Sequence, residues 1–249
     1  MSEPVSIIGS PISPYVRKVL AVLELKGVAY RIDPIAPFVG NDAFARLSPL
    51  RRIPVLIEGD MVLNDSSVIC QYLEDRHPTP ALYPADLADR ARTRWLEEYA
   101  DTHLGDVLIW RLFFQLGARR FLFREEADEA VVRRAREEEI PAALDYLEAQ
   151  LPPSGFAFGE LSIADITLAS FFRTAAFVKY AIDASRWPRM AALVTQVMAL
   201  PAMRKLATIE DRIVRLPLAE QRAALADMGV ALTPTTLGDA APRHGFRRA

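Results

Sequence analysis

Arg52-Ile53-Pro54-Val55-Leu56-Ile57-Glu58-Gly59-Asp60-Met61-Val62-Leu63-Asn64-Asp65-Ser66 is the stretch that decides the fold. Two short apolar runs flank the polar Glu58-Gly59-Asp60, which reads as a tight β-hairpin. Pro54 sits at the mouth of the first strand, where a missing N–H is tolerated. Asp65-Ser66 supplies helix-start residues, and Ser67-Val68-Ile69-Cys70-Gln71-Tyr72-Leu73 continues at helical spacing. Upstream, Val5-Ser6-Ile7-Ile8-Gly9 reads as a buried strand. Ser13-Pro14-Tyr15 then opens a helix whose apolar Val16, Val19, Leu20 and Leu23 share one face, with Lys26-Gly27 as its stop. Ala29-Tyr30-Arg31-Ile32-Asp33 is a further strand, and the single intervening helix makes it parallel to the first. The order is βαβ, a short helix or loop, then ββα.

Downstream the composition shifts at His77-Pro78-Thr79-Pro80, followed by Tyr83-Pro84, a proline-rich linker. Beyond it strand signals vanish, and 3.6-period segments run at 87–118, 126–150, 162–180 and 188–213. The sequence therefore predicts an α/β domain over 1–80 and an all-helical domain over 87–216. It predicts a partly mobile extension over 217–249, with one helical patch from Leu218 to Met228 and a tip ending Arg243-His244-Gly245-Phe246-Arg247-Arg248. A chain of 249 residues, 51% hydrophobic and 25% charged, is long enough for two globular cores. Its net charge of -2 provides no field favouring nucleic acid or an anionic membrane. The N-terminus lacks a signal-peptide pattern, and no apolar run suits a membrane span. These features lead us to expect a cytoplasmic protein. A single cysteine, Cys70, excludes an internal disulfide and lies on an apolar helix face, as inert core cysteines do. His77, His103 and His244 have no ligand spacing, so no metal is expected.

Three places carry chemistry. Ser13 stands at a helix N-cap, where a hydroxyl commonly accepts a bond from the first turn. The same place offers partial positive charge, and a hydroxyl there could donate to a bound thiolate. Ser10 and Tyr15 are rivals for that role. Pro54, in this element order, is expected to follow a cis bond that turns the main chain of Ile53 outward to pair with an extended peptide. Ser66 as N-cap beside anionic Asp65 is ordinary helix design, yet the pair also suits a zwitterionic amino-acid end. Arg52 could then neutralise a second carboxylate. Ser162-Ile163-Ala164-Asp165-Ile166 is a capping box with a structural role only.

Taken jointly, the strand-end Ser10-Pro11-Ile12-Ser13-Pro14-Tyr15, the Arg52-to-Leu56 segment, the Leu63-to-Leu73 segment and the capping box resemble the cytosolic glutathione transferase family over roughly residues 4–205. Serine before Pro14-Tyr15 looks like the serine-type bacterial, tau, theta and zeta classes. The resemblance implies a thioredoxin-like N-terminal domain, an all-α C-terminal domain and a homodimer. It implies an enzyme with glutathione as co-substrate, Ser13 activating the sulfur, Ile53 and Pro54 presenting the main chain, and Asp65 and Ser66 holding the γ-glutamyl end. The partner substrate is a small hydrophobic electrophile, with Tyr15, Trp110, Arg111 and Phe114 as candidates to line its pocket and Phe113, Phe172 and Phe177 as further aromatics. The same thiolate could instead serve an isomerase, dehalogenase, etherase or peroxidase, and members of this fold also act as non-catalytic interaction modules. Two departures stand out: Ser48-Pro49-Leu50-Arg51 replaces the usual Asn-Pro-x-Gly, and Asp65 replaces the commoner glutamate.

Overall fold

The computed structural model describes residues 4–239 together with 241 and 242. It forms two compact units, one made of residues up to 80 and from 204 onward, the other of Ala81–Met203.

In the first unit, β1 (Val5–Ile8) and β2 (Tyr30–Asp33) run parallel, with Ile7 opposite Ile32, and α1 (Pro14–Leu25) crosses between them. A 3₁₀ turn at Pro37–Val39 leads to α2 (Asp42–Leu47), which Asn41 caps by accepting from the Phe44 N–H at 3.0 Å. Next, β3 (Val55–Glu58) lies antiparallel to β1, and β4 (Met61–Asn64) completes a mixed sheet in the order β2-β1-β3-β4. The β3–β4 turn is Gly59-Asp60, with Gly59 at φ +58°, which glycine adopts without steric cost. α3 (Ser66–Arg76) follows, and Ile7, Val19, Leu20, Leu23, Leu56, Ile69 and Leu73 make the core. This is the thioredoxin-like arrangement that the hairpin and the crossover predict.

The second unit contains one long helical run. It consists of α4 (Leu87–Tyr99), a wider-wound segment Ala100–Ala118 whose end is marked by the Arg119 N–H bonding the Phe114 carbonyl, and α5 (Arg119–Phe123). α6 (Glu129–Arg134) passes through a second wide turn, Ala135–Glu139, into α7 (Ile140–Gln150). Pro141 in the first turn of α7 has no N–H to donate, so regular α-helical bonding cannot run straight through that point. α8 (Ile163–Ala176) is buried almost all round, as a central helix must be, and α9 (Pro188–Met198) packs on it. The expected capping box is present. Asp165 accepts from the N–H and the hydroxyl of Ser162 at 2.8 and 2.7 Å, and from the N–H of Ala157 at 2.8 Å. Burial pushes its carboxyl above the ordinary aspartate range, and these bonds only partly draw it back.

The chain beyond this unit divides differently from the composition boundary. From Arg204 onward, α10 (Pro201–Ile213) and α11 (Leu218–Asp227) belong with the first unit. The cause is physical. Arg17 on α1 and Glu210 on α10 are both fully buried and meet at 2.5 Å, and a buried charge needs its partner close by. Lys205 likewise reaches Glu24 at 2.6 Å. The extension also bonds to the first unit's sheet. Residues 231–233 pair with β2, with Ile32 donating to the Ala231 carbonyl at 2.9 Å and Thr233 donating to that of Ile32 at 3.0 Å. The predicted tip, Arg243 to Arg248, lies outside the described residues.

Candidate active site

Ser13 is the N-cap of α1, directly ahead of Pro14, and its side chain makes no cap bond. Its N–H donates to the Ser10 carbonyl at 3.0 Å and its carbonyl accepts from Arg17 at 2.9 Å, so the turn is fixed while the hydroxyl is left for other use. Ser10 differs in both respects. It is buried, and its hydroxyl accepts from the Ile12 N–H at 3.4 Å. Tyr15 is half-buried one turn position inside the helix. Gly9, at φ +148°, lets the strand end approach its neighbours. An added Cβ would lie 2.6 Å from Val16 Cγ2 and 3.0 Å from Ile53 Cβ, so this glycine brings the Ser13 turn and the Ile53 segment together.

The Ile53–Pro54 bond is cis, as the element order leads one to expect. Ile53 makes no main-chain hydrogen bond to the described residues, so its N–H and carbonyl are available to an added strand. The preceding turn is held in a way the sequence did not signal. Ser48 Oγ accepts from the Arg52 N–H at 2.9 Å and donates to the Arg52 carbonyl at 2.8 Å. Arg51 stands at φ +50°, the conformation that the usual glycine would adopt freely, and its Nη2 donates to the Gly40 carbonyl at 2.5 Å. The Arg52 guanidinium forms no bond or ion pair within the described chain, which suits a carboxylate partner.

Register places Asn64 opposite Val55, so Asp65 follows directly beside the Pro54 end of β3. Here the structure corrects the expected cap. Asp65, at φ +75°, is the N-cap of α3, and its Oδ1 accepts from the N–H groups of Ser67 and Val68 at 2.9 and 3.3 Å. Ser66 is instead the first helical residue and is buried. A carboxylate satisfies the exposed N–H groups of a helix start better than a hydroxyl and is favoured by the dipole. Nearby, the fully buried Lys18 donates to Ser67 Oγ at 3.1 Å.

Ser13, Arg52, Ile53, Pro54, Asp65 and Ser66 thus all lie in the first unit, and the Gly9 contacts and the β3–β4 register hold them on neighbouring strand ends. Trp110, Arg111 and Phe114 lie in the second unit, on the wide helical segment. The Trp110 and Phe114 rings meet in a tilted contact with centroids 5.5 Å apart, and Phe114 meets Phe123 at 6.1 Å. Arg111 is paired with Glu139, which Arg134 also approaches at 3.1 Å, so one carboxylate serves two guanidinium groups. Cys70 is fully buried. Among the described residues no cluster of His, Cys, Asp and Glu is placed to hold a metal ion, and no helix is long and apolar enough to cross a membrane.

Known proteins are similar to this chain. Residues 7–81 match the family described as glutathione S-transferase, N-terminal domain, and residues 129–195 match glutathione S-transferase, C-terminal domain. A maleylpyruvate isomerase of Ralstonia sp is 32% identical over 195 residues, covering 74% of this chain and 88% of that protein. The chain belongs to the glutathione S-transferase family. A probable glutathione S-transferase of Oryza sativa subsp. japonica, GSTF2, is 28% identical over 83% of this chain and 97% of its own. Among solved structures, the holo form of a maleyl pyruvate isomerase, described as a bacterial zeta-class glutathione S-transferase, superposes with a TM-score of 0.67 at 29% identity. The match covers 81% of this chain and 95% of that one.

Proposed function

We propose that this family member binds glutathione in its first unit and activates the sulfur for attack on a small hydrophobic electrophile. The observation that carries the reading is the Ser13 hydroxyl, set at a helix N-terminus and not used as a cap, while Ser10 is buried and engaged. Glutathione supplies the nucleophilic sulfur when bound. Ser13 donates to that sulfur in its anionic form, and the N-terminal end of α1 adds partial positive charge. Ile53 pairs with the cysteinyl main chain, Asp65 takes the ammonium of the γ-glutamyl end, Ser66 and the α3 N–H groups take its carboxylate, and Arg52 takes the far carboxylate. Held in this way, reaction with a neighbouring electrophile becomes effectively intramolecular. Assembly as a homodimer belongs to the same reading and is checked by light scattering.

The test is the ultraviolet difference spectrum of bound glutathione near neutral pH, for the wild type and Ser13→Ala. A free thiol of pKa ~8.5 is only slightly ionised there, so a thiolate band requires activation. We expect the band in the wild type, its loss in Ser13→Ala, and a drop of roughly 10- to 100-fold in turnover with retained glutathione affinity. Full turnover in Ser13→Ala would remove Ser13 from the role. A second reading, glutathione-dependent isomerisation, is favoured by the 32% identity to a maleylpyruvate isomerase. It uses the same thiolate, added and then expelled, and returns glutathione unconsumed. Following glutathione concentration through product formation separates the two.

A further inference from the structure

The glutathione reading leaves the C-terminal extension without a role, although it is bonded to the first unit along two stretches. On the outer edge of β2, Ile32 and Leu232 form a parallel bridge. Farther along, Gly40 and Gly238 form an antiparallel bridge, with Asn41 donating to the Leu237 carbonyl at 2.8 Å and Asp239 donating to that of Val39 at 2.6 Å. Between these bridges lies Asp33, fully buried, whose carboxylate accepts from Arg222 Nη1 at 3.2 Å and from the Leu237 N–H at 2.6 Å. Arg222 also bonds the Thr233 carbonyl. Both bridging glycines are crowded. A Cβ on Gly40 would lie 2.1 Å from Phe44 Cδ1, and one on Gly238 would lie 2.8 Å from Ile35 Cγ2.

The segment gripped from outside is the one from which the site hangs on the inside. Gly9 donates to the Asp33 carbonyl and Ser10 to that of Ile35, both at 2.8 Å, which anchors the turn leading to Ser13. The Gly40 carbonyl, one residue from the strap's hydrogen bonds, receives Arg51, which precedes Arg52 and Ile53. We propose that residues 230–239 act as a positioning strap for the glutathione site. By fixing residues 33–40 it sets both the Ser10–Ser13 turn and the Arg51–Ile53 segment before any ligand arrives. Pre-ordered binding groups lower the entropic cost of holding a flexible peptide, so the strap raises affinity without touching the ligand. It also closes the β2 edge, which would otherwise offer unpaired main-chain groups to another sheet.

This proposal rests on the glutathione reading, and the experiment separates the two. The variants are Gly238→Val, whose side chain is driven against Ile35, and a chain ending at Gly229. Should the truncated chain fail to fold, Gly238→Val carries the test alone. Amide hydrogen exchange is followed at Ser10, Arg51 and Arg52, all hydrogen-bonded in the structure, and glutathione affinity is measured by calorimetry. We expect faster exchange at these three amides in Gly238→Val, outside the strap itself, and glutathione affinity about tenfold weaker. Ser13→Ala, by contrast, leaves that exchange unchanged. Exchange altered only within residues 230–239, or unchanged glutathione affinity in a folded variant, overturns the strap. A wild type that binds no glutathione, with exchange still faster at Ser10, Arg51 and Arg52 in Gly238→Val, sinks the functional reading while the positioning of the segment stands.

Discussion

One carboxylate at the head of α3 has two tasks that different substitutions can separate. Asp65 caps the helix through Ser67 and Val68, and in the proposed complex the same charge receives an ammonium group. Asp65→Ala removes both, and the lost cap alone costs about 1 kcal/mol. Asparagine caps nearly as well as aspartate and tolerates the φ of +75° seen here, but it carries no charge. Asp65→Asn is therefore expected to melt within a degree or two of the wild type while binding glutathione roughly tenfold more weakly. Thermal melts beside calorimetric titration check this. An Asn variant with unchanged affinity would leave Asp65 a cap and nothing more.

Between elements, the interactions that matter are buried and charged. Glu210 on α10 meets Arg17 on α1 with neither group reached by solvent, and the Arg17 guanidinium also bonds the Ile12 carbonyl at 3.2 Å. Glu210→Ala leaves a buried cation without this carboxylate and should cost about 3–5 kcal/mol in urea unfolding. In α8, Asp165→Ala orphans three donors at the start of the central helix, and a loss of about 2–4 kcal/mol is expected. Burial raises the Asp165 carboxyl above its unfolded value, so the folded state holds its proton more tightly. Its contribution is therefore greatest at pH below the ordinary aspartate pKa and declines as pH rises through the raised value. The cost of Asp165→Ala should accordingly be larger in acid than at neutral pH, and an NMR titration of its carboxyl carbon should give a midpoint above ordinary aspartate. These elements differ in how far the sequence announced them. The hairpin, the crossover helix and the capping box were legible because each is local: a two-residue period, a 3.6-residue period, or a spacing of three. Arg17–Glu210 joins residues far apart in the chain, and nothing in either neighbourhood marks them as partners. The strap at 231–239 was illegible for a related reason, since isolated bridges need no alternating apolar pattern and Pro234 interrupts any strand signal. At the site, Ser13, Ile53 and Asp65 stood at element boundaries, where local rules operate. The bracing by Ser48 and by Arg51 on Gly40 depended on how separate turns meet.

At the scale of the molecule, the first unit is discontinuous, and that has a consequence for how it folds. A thioredoxin-like βαβ-ββα segment looks autonomous in sequence, yet residues 1–80 alone leave Arg17 without Glu210 and Asp33 without Arg222 and Leu237. They also leave the outer edge of β2 unpaired. Two charged groups stripped of these partners cost several kcal/mol, comparable to the whole stability of a domain of that size, and an open edge invites pairing with other chains. An isolated 1–80 fragment should therefore show no cooperative melt and should aggregate. Supplying 204–239 through a flexible linker restores both charge partners and the edge, so the fused chain should melt cooperatively and stay monodisperse in light scattering. Linker length is a minor term, because loop-closure entropy grows only as the logarithm of the number of residues. If the fragment 1–80 melts cooperatively by itself, the buried pairs contribute less than their burial implies. If the fusion also fails, the second unit supplies something that the chain from Arg204 onward does not replace. Cooperative melting of the fusion alone would establish that the carboxyl-terminal segment is part of the first domain's fold, with the helical unit inserted into its chain.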